Sequence, residues 1–409
     1  MPETPNALEV PAQPSETRPA QRRLRILHVI YMLAEDLGGP PRALATLARA
    51  QAERGDEVLV LPARGSPGPQ TLEPGRRGNL SVHAAPTTAR LMWYNGALKR
   101  ATFDLAQTAD LVHIHGTWRY HLLAGAGAAR RYKIPFIVRP AGNLGRVARE
   151  HKAYLKRPYL EIFERPVLNR AAAIHCCSNK ELAELSDLRL TAPTFIVPQP
   201  VESDLLDVAE NPEALLALCP QLESGAPAIA YLGRISFIKN CDVLLECFVR
   251  LAREYPEWVL VMAGPYEDAK LVEALKATIK ANKLEERVAL PGTLRGGIKA
   301  ALLRRAAVFA QPSRHENFGI SVAEALLFGL PCVVSSGVAL ATDIRAGDAG
   351  VVSAPTIDEF GAALRGMLSD AALRRRSAIG ALRLAERYKP AGVAAALDAE
   401  YRRVIGEGR

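Results

Sequence analysis

The sequence contains no uninterrupted apolar run approaching the roughly 20 residues that a membrane-spanning helix needs. Its six cysteines (Cys176, Cys177, Cys219, Cys241, Cys247 and Cys332) show no CxxC spacing. Neither a disulfide framework nor a thiolate zinc site is therefore signalled, and a reduced, cytoplasmic compartment is expected. The opening stretch MPETPNALEVPAQPSETRPAQRR lacks the apolar core and small-residue cleavage site of a signal peptide. It is rich in Pro, Glu and Thr, which predicts a disordered tail over residues 1–22. No Asp-x-Asp pair closes a strand-like run, so no metal site is expected. These absences exclude spanning, secreted and small disulfide-stapled classes.

What remains is ordinary globular material. The 409 residues are 49% hydrophobic and 23% charged, enough for two or three domains at about 150 residues each. The formal net charge of +9 is concentrated. Between Arg119 and Arg170 there are twelve Lys or Arg against three carboxylates, so the rest of the chain is nearly neutral. Such a stretch suits an anionic partner, either an acidic bilayer or a lipid diphosphate, or else is simply a solvated helix face. Nucleic acid is not expected, because no reading module accompanies the charge. Within it, Arg146, Arg149, Lys152, Lys156 and Arg157 alternate with Val147, Tyr154 and Leu155. That mixture suits a helical segment lying on a membrane surface, interrupted at Pro158 and Pro166.

Short apolar runs alternate with helix-length segments along the whole chain. RILHVI (25–30), EVLVLPA (57–63), NLSVHAA (79–85), DLVHIHG (110–116), PFIVRP (135–140), AAIHCCS (172–178) and TFIVPQP (194–200) form a first series. After an irregular acidic segment at 202–224, read as an interdomain linker, a second series begins. It comprises APAIAYLG (226–233), WVLVMAG (258–264), RVALPG (287–292), AVFAQPS (307–313), PCVVSS (331–336) and GVVSA (350–354). Continuous apolar strands alternating with helices predict parallel sheets covered on both faces. The fold class is α/β, with two doubly wound halves and ligands at the carboxyl ends of the strands and in the cleft between the halves.

The richest stretch is RHENFGISVAEALLFGLPCVVS (314–335). A helix is expected from Ile320 to Phe328, closed by Gly329 and Pro331. Amides from Asn317, Phe318, Gly319 and Ile320 would then cluster at a helix N-terminus, where they favour an anion. Glu316 and Glu324, eight positions apart, can accept hydrogen bonds from sugar hydroxyls at opposite ends of one sugar nucleotide. Upstream, Arg234 and Lys239 flank a strand-to-helix turn in YLGRISFIKN, one planar fork and one flexible point charge suited to two phosphates. Gly38 and Gly39 in LGGPPRA allow close backbone approach to a phosphate. His115 ends a strand, where cleft-facing residues belong, and His113 shares its face.

HENFGISVAEALLFGLPCVVS resembles the Glu–seven residues–Glu signature of retaining GT-B glycosyltransferases (glycosyltransferase group 1, family 4 type), and the resemblance runs from about Leu24 to Ile405. It implies two Rossmann-like domains facing a cleft: an N-terminal acceptor domain over 23–205 and a C-terminal donor domain over 206–385. A C-terminal helix over 386–409 would pack back toward the first. It implies retaining transfer of a sugar from a nucleoside diphosphate sugar, without a metal. The acceptor would be a glycan, glycolipid or lipid-linked hydroxyl, in cell-surface polysaccharide assembly at the inner face of the membrane. Arg234 and Lys239 would hold the diphosphate, Glu316 the donor sugar, Glu324 the ribose, and Leu294 would lie by the base. His115 would lie beside the sugar, and Arg42 and Asn143 on the acceptor side. Ala141 replaces a histidine common in bacterial relatives, Gln199–Pro200 replaces an Asn-Gly turn, and Asn240 stands where glycine is usual. A sugar-nucleotide epimerase of the same bilobed fold and a catalytically silent sugar-nucleotide binder remain the alternatives.

Overall fold

A computed structural model of the chain describes residues 22–35, 39–66, 68–86 and 94–406. The tail through residue 21 and Gly38 lie outside the described residues. The first eight strands are β1 (Arg25–Ile30), β2 (Glu57–Pro62), β3 (Gly75–Arg77), β4 (Leu80–Val82), β5 (Leu111–His115), β6 (Phe136–Arg139), β7 (Ala173–Cys176) and β8 (Thr194–Ile196). They form one sheet in the order β3-β4-β2-β1-β5-β6-β7-β8. All neighbours in it are parallel except β3 and β4. The second sheet holds β9 (Ala228–Leu232), β10 (Val259–Ala263), β11 (Val288–Ala289), β12 (Ala306–Gln311), β13 (Cys332–Ser335) and β14 (Gly350–Ser353). Its order is β11-β10-β9-β12-β13-β14, parallel throughout.

These orders place the functional loops. In each sheet the chain moves outward from a central strand in one direction, with β4 between β2 and β3 in the first sheet, then restarts on its other side. The switch points fall between β1 and β5 and between β9 and β12, and the crevice outside their carboxyl ends is where such sheets bind ligands. The loops at those four ends carry Gly39, His115, Arg234 with Lys239, and Glu316.

The inner strands are apolar without alternation because both of their faces are covered. Val29, Val112, Val138 and Ile174 pack under one helical layer, and Ile26, Leu111, Ile137 and Ala173 under another. The second layer is supplied partly from the far end of the chain. Val393, Ala394, Leu397 and Tyr401 of the helix Pro390–Ile405 pack against the first sheet. That helix begins with a proline at its first turn, after a turn at Glu386–Tyr388 that anchors Tyr388 in the second core.

The structure adds one strand, corrects one expectation and agrees with another. β3 was not legible: its Gly-Arg-Arg is fully exposed and pairs antiparallel with β4, so it has no apolar face to signal it. The 202–224 segment is not a free linker. Leu205, Leu215, Cys219 and Leu222 are buried in the second core, and the chain crosses near Val201. The basic stretch is broken, as its prolines predict, into helices Arg146–Glu150, Ala153–Tyr159 and Arg165–Leu168. Pro158 sits inside the second, and a π-helical turn over Leu160–Glu164 follows. Pro158 has no N–H to donate, and in the wider turn that follows Arg165 N–H bonds back five positions to Leu160 O. Among the described residues, no helix is long and apolar enough to cross a membrane.

Candidate active site

The loops after β9 and β12 are tied to one another by hydrogen bonds. Arg314 donates its backbone N–H to Ile238 O at 2.9 Å, and Asn240 Nδ2 donates to Pro312 O at 2.9 Å. Asn240 has φ +53°, the left-handed conformation that asparagine tolerates, and it ends the short turn Phe237–Lys239. This stitching brings Lys239 and Glu316 together. Lys239 Nζ donates to Glu316 Oε2, and Gln311 Nε2 donates to the same oxygen at 3.2 Å. The two side chains are 10% and 20% exposed, so the pair is sheltered yet reachable from the cleft.

Glu316 lies four positions before the helix Ile320–Leu327, whose cap Gly319 has φ +101°. A β-carbon there would approach Val338 at 3.2 Å, so glycine answers both a backbone and a space requirement. Opposite it stands the helix Gly39–Glu53 of the first half. A β-carbon on Gly39 would lie 3.0 Å from Ile320 Cδ1. Two helix N-termini thus meet across the cleft with their positive dipole ends toward one space; the second presents the amides around Gly319, and the first, whose next residues are Pro40 and Pro41, only those of Gly39 and Arg42.

The other expected residues are distributed around this point. Arg234 is half-exposed and ion-paired to Glu267 beyond β10. Glu324 is buried and paired to Lys299 Nζ at 2.7 Å. Asn317 abuts Gly142 from the opposite half: at φ +82°, a β-carbon on Gly142 would fall 2.5 Å from Asn317 Cγ. Asn143 accepts a 2.7 Å bond from Trp118 Nε1 and borders Gly116. Arg42 lies partly buried on the first turn of its helix.

Three of the expected residues have buried side chains. The side chains of Phe318 and Leu294 face the second core rather than the cleft, and Phe318 sets its ring edge-on to Tyr388 at 5.6 Å. At these positions only backbone is offered to a ligand. His115 is 2% exposed and hydrogen-bonded through Nε2 to His28 at 2.9 Å, so its ring is set into the cleft floor, with Nδ1 left without a protein partner.

Several site residues were missed because their signal is tertiary. Arg139 ends β6 directly beside His115 in register and is 1% exposed. Its Nε donates to Cys177 Sγ at 3.2 Å, while Nη2 has no protein partner. Glu181 accepts from Gly142 N at 2.6 Å and Cys177 N at 2.7 Å. Burial pushes its carboxyl up, and those backbone bonds oppose the shift. Lys180 reaches across to Gly337 O, and Arg295 pairs with Glu35 at 2.7 Å, so both contacts join the halves. A charge closing the apolar run PFIVR was the one available hint of Arg139.

The architecture is that of a two-domain GT-B transferase. Residues 38–199 match the glycosyl transferase 4-like domain, and residues 220–381 match the glycosyl transferases group 1 domain. The chain is 28% identical over 409 residues to a D-inositol 3-phosphate glycosyltransferase of Kineococcus radiotolerans, covering 90% of this chain and 91% of that protein. It is 28% identical over 292 residues to a Mycobacterium tuberculosis glycogen synthase, covering 69% and 65%. Among solved structures, Anabaena HepE in complex with UDP-glucose superposes with a TM-score of 0.72 at 18% identity, covering 93% of this chain and 100% of that one. Sucrose-phosphate synthase from Thermosynechococcus elongatus gives 0.71 at 17%, covering 94% and 100%. The two domain matches and these relatives together support a glycosyltransferase of group 1.

Proposed function

We propose that this enzyme moves a sugar, with retention of configuration, from a nucleoside diphosphate sugar to a hydroxyl of a glycan, glycolipid or lipid-linked acceptor in cell-surface polysaccharide assembly. The observation that carries the reading is the Lys239–Glu316 pair set between two facing helix N-termini. A diphosphate entering there meets Lys239, Arg234, the amides around Gly319 and the single amide of Gly39. As it takes Lys239, Glu316 is released to accept hydrogen bonds from the donor sugar's hydroxyls, and Glu324 is assigned to the ribose. Charge develops on the leaving phosphate in the transition state, and these fixed donors stabilise it without a metal. The leaving phosphate accepts the acceptor hydroxyl's proton on the same face, so catalysis is mostly positioning. The UDP-glucose bound by the HepE neighbour belongs to the same donor class.

The acceptor is assigned to the N-terminal half at the cytoplasmic face of an anionic membrane. A cavity of about 490 Å³ there is lined by five cations, Arg146, Arg149, Lys156, Arg157 and Arg165, and by Glu150, Glu161 and Asp187, of which Asp187 pairs with Arg146 and Arg149 and Glu161 with Arg165. Beside it Val147, Tyr154, Leu155, Ile162 and Phe163 are exposed, Tyr154 at 76%. Cations in excess over carboxylates, interleaved with solvent-facing apolar side chains, fit an anionic interface, each cation not already paired contributing roughly 1 kcal/mol. In the assay, nucleoside diphosphate release from a panel of donors should rise when anionic vesicles carrying extracted lipid-linked glycans are added, and the product should keep the donor's anomeric configuration. An inverted product refutes retention. Equal pelleting with neutral and anionic vesicles at low salt refutes the membrane assignment.

A further inference from the structure

Beneath the cleft floor of the first half runs a row of buried polar side chains: His28 on β1, His113 and His115 on β5, His175 on β7, Gln51 and Tyr401. Gln51 comes from the helix Gly39–Glu53 and Tyr401 from the helix Pro390–Ile405, and none of the six is more than 2% exposed. Burial keeps the four imidazoles neutral, bringing His28 down to about 4 and His175 to about 3.

Neutral imidazole carries one N–H, so one fixed end orients the rest of the row. Val197 O only accepts, and His175 Nε2 donates to it at 2.8 Å. His175 Nδ1 is then bare and accepts from His113 Nε2 at 3.4 Å. His113 Nδ1 in turn accepts from the Tyr401 hydroxyl at 2.7 Å. That hydroxyl has spent its only hydrogen, so its oxygen accepts from Gln51 Nε2 at 3.3 Å. The Gln51 carbonyl therefore faces His28, whose Nε2 donates to it at 2.8 Å. His28 Nδ1 accepts from His115 Nε2 at 2.9 Å. The row ends at His115 Nδ1, a bare acceptor buried without a protein partner at the switch-point end of β5.

We propose that Tyr401 and Gln51 are positioning residues that lock His115 in its Nε2–H tautomer, holding Nδ1 as a hydrogen-bond acceptor for a hydroxyl at the transfer site. The role at the transfer site rests on the transferase reading above; the tautomer itself does not. Without the Tyr401 hydroxyl the Gln51 amide is free to turn over and donate to His28. The lower half of the row then reverses, and the proton moves to His115 Nδ1. Because the helix bearing Tyr401 arrives from the second half, its docking sets the state of a histidine in the first. The rings of His28, His113 and His115 also bring nitrogens within 4.8 Å of one another, a spacing compatible with a metal ion. Yet His28 Nδ1 and His115 Nε2 already share a hydrogen bond.

The test is ¹⁵N NMR of the full chain labelled at its eight histidines, wild type against Tyr401→Phe, with donor kinetics on both. Wild type should show His115 protonated at Nε2 alone. Tyr401→Phe should show two tautomers at His28 and His115, with kcat lowered about tenfold or more and donor KM within about twofold. Gln51→Leu removes the same acceptor from the other side. It should also mix the His115 tautomers, and it carries the test should Tyr401→Phe not fold. Wild-type His115 protonated at Nδ1, an unchanged tautomer and kcat in a folded variant, or one equivalent of retained zinc would overturn the proposal. The predicted tautomers in a chain that transfers no sugar would instead overturn the transferase reading.

Discussion

Glu316→Gln is expected to lower kcat by about 10²–10³-fold while leaving the affinity for free nucleoside diphosphate unchanged or slightly tighter. The substitution is isosteric, keeps a hydrogen-bonding head and removes one negative charge. In the resting site that charge is held by Lys239 and Gln311 Nε2 on the same oxygen. A phosphate arriving between the helix N-termini competes with Glu316 for Lys239, so removing the carboxylate removes a competitor. What the enzyme loses is the acceptor for the donor sugar's hydroxyls, which counts only when a sugar is present and counts most as the glycosidic bond opens. Turnover measured beside calorimetric binding of nucleoside diphosphate separates the two. A parallel loss of nucleotide affinity would place Glu316 on the ribose or base instead.

Lys239→Ala is expected to act on both quantities. It removes a charge-assisted contact to the diphosphate, worth about 1.5–3 kcal/mol, or roughly ten- to a hundredfold in affinity. It also leaves Glu316 as an uncompensated carboxylate facing the incoming phosphate, sheltered to 20% exposure. The melting temperature should fall as well, because breaking one side of a sheltered pair strands the other charge. The double variant Lys239→Ala/Glu316→Gln should recover part of the stability and part of the nucleotide affinity, but none of the turnover. Additive losses in the double variant would mean that the two side chains do not act as a pair.

The pair itself could be suspected from the sequence but not read from it. Strands β1, β5, β9 and β12 were legible because buried parallel strands are written as unbroken apolar runs. The turn at Asn240 was legible because asparagine is one of the few residues to accept the left-handed region. The strap from Asn240 Nδ2 to Pro312 O, which sets Lys239 against Glu316, spans 72 positions and leaves no local trace. Glu267 and Lys299 were invisible for the same reason: an ion pair across loops has no periodicity. His115 is the clearest case. Alternation along β5 put it on one face with His113, but not what covers that face. The cover is Tyr401, 288 positions after His113, on a helix that returns from the other half of the molecule. Phe318 was read for its backbone amide and Leu294 for its place near the base, and the side chains of both belong to the second core.

The most direct test of the transferase account is heat unfolding of the wild-type chain and of Lys239→Ala against UDP-, GDP- and ADP-sugars. A ligand that binds only the folded chain raises its melting temperature by mass action, by about 2.7 kcal/mol of stability at a hundred times its Kd. The account predicts that sugars of one base raise the wild-type transition and that the same ligand at the same concentration leaves Lys239→Ala nearly unmoved. A wild-type transition unmoved by every nucleotide sugar at millimolar concentration, or an equal rise in Lys239→Ala, would contradict it.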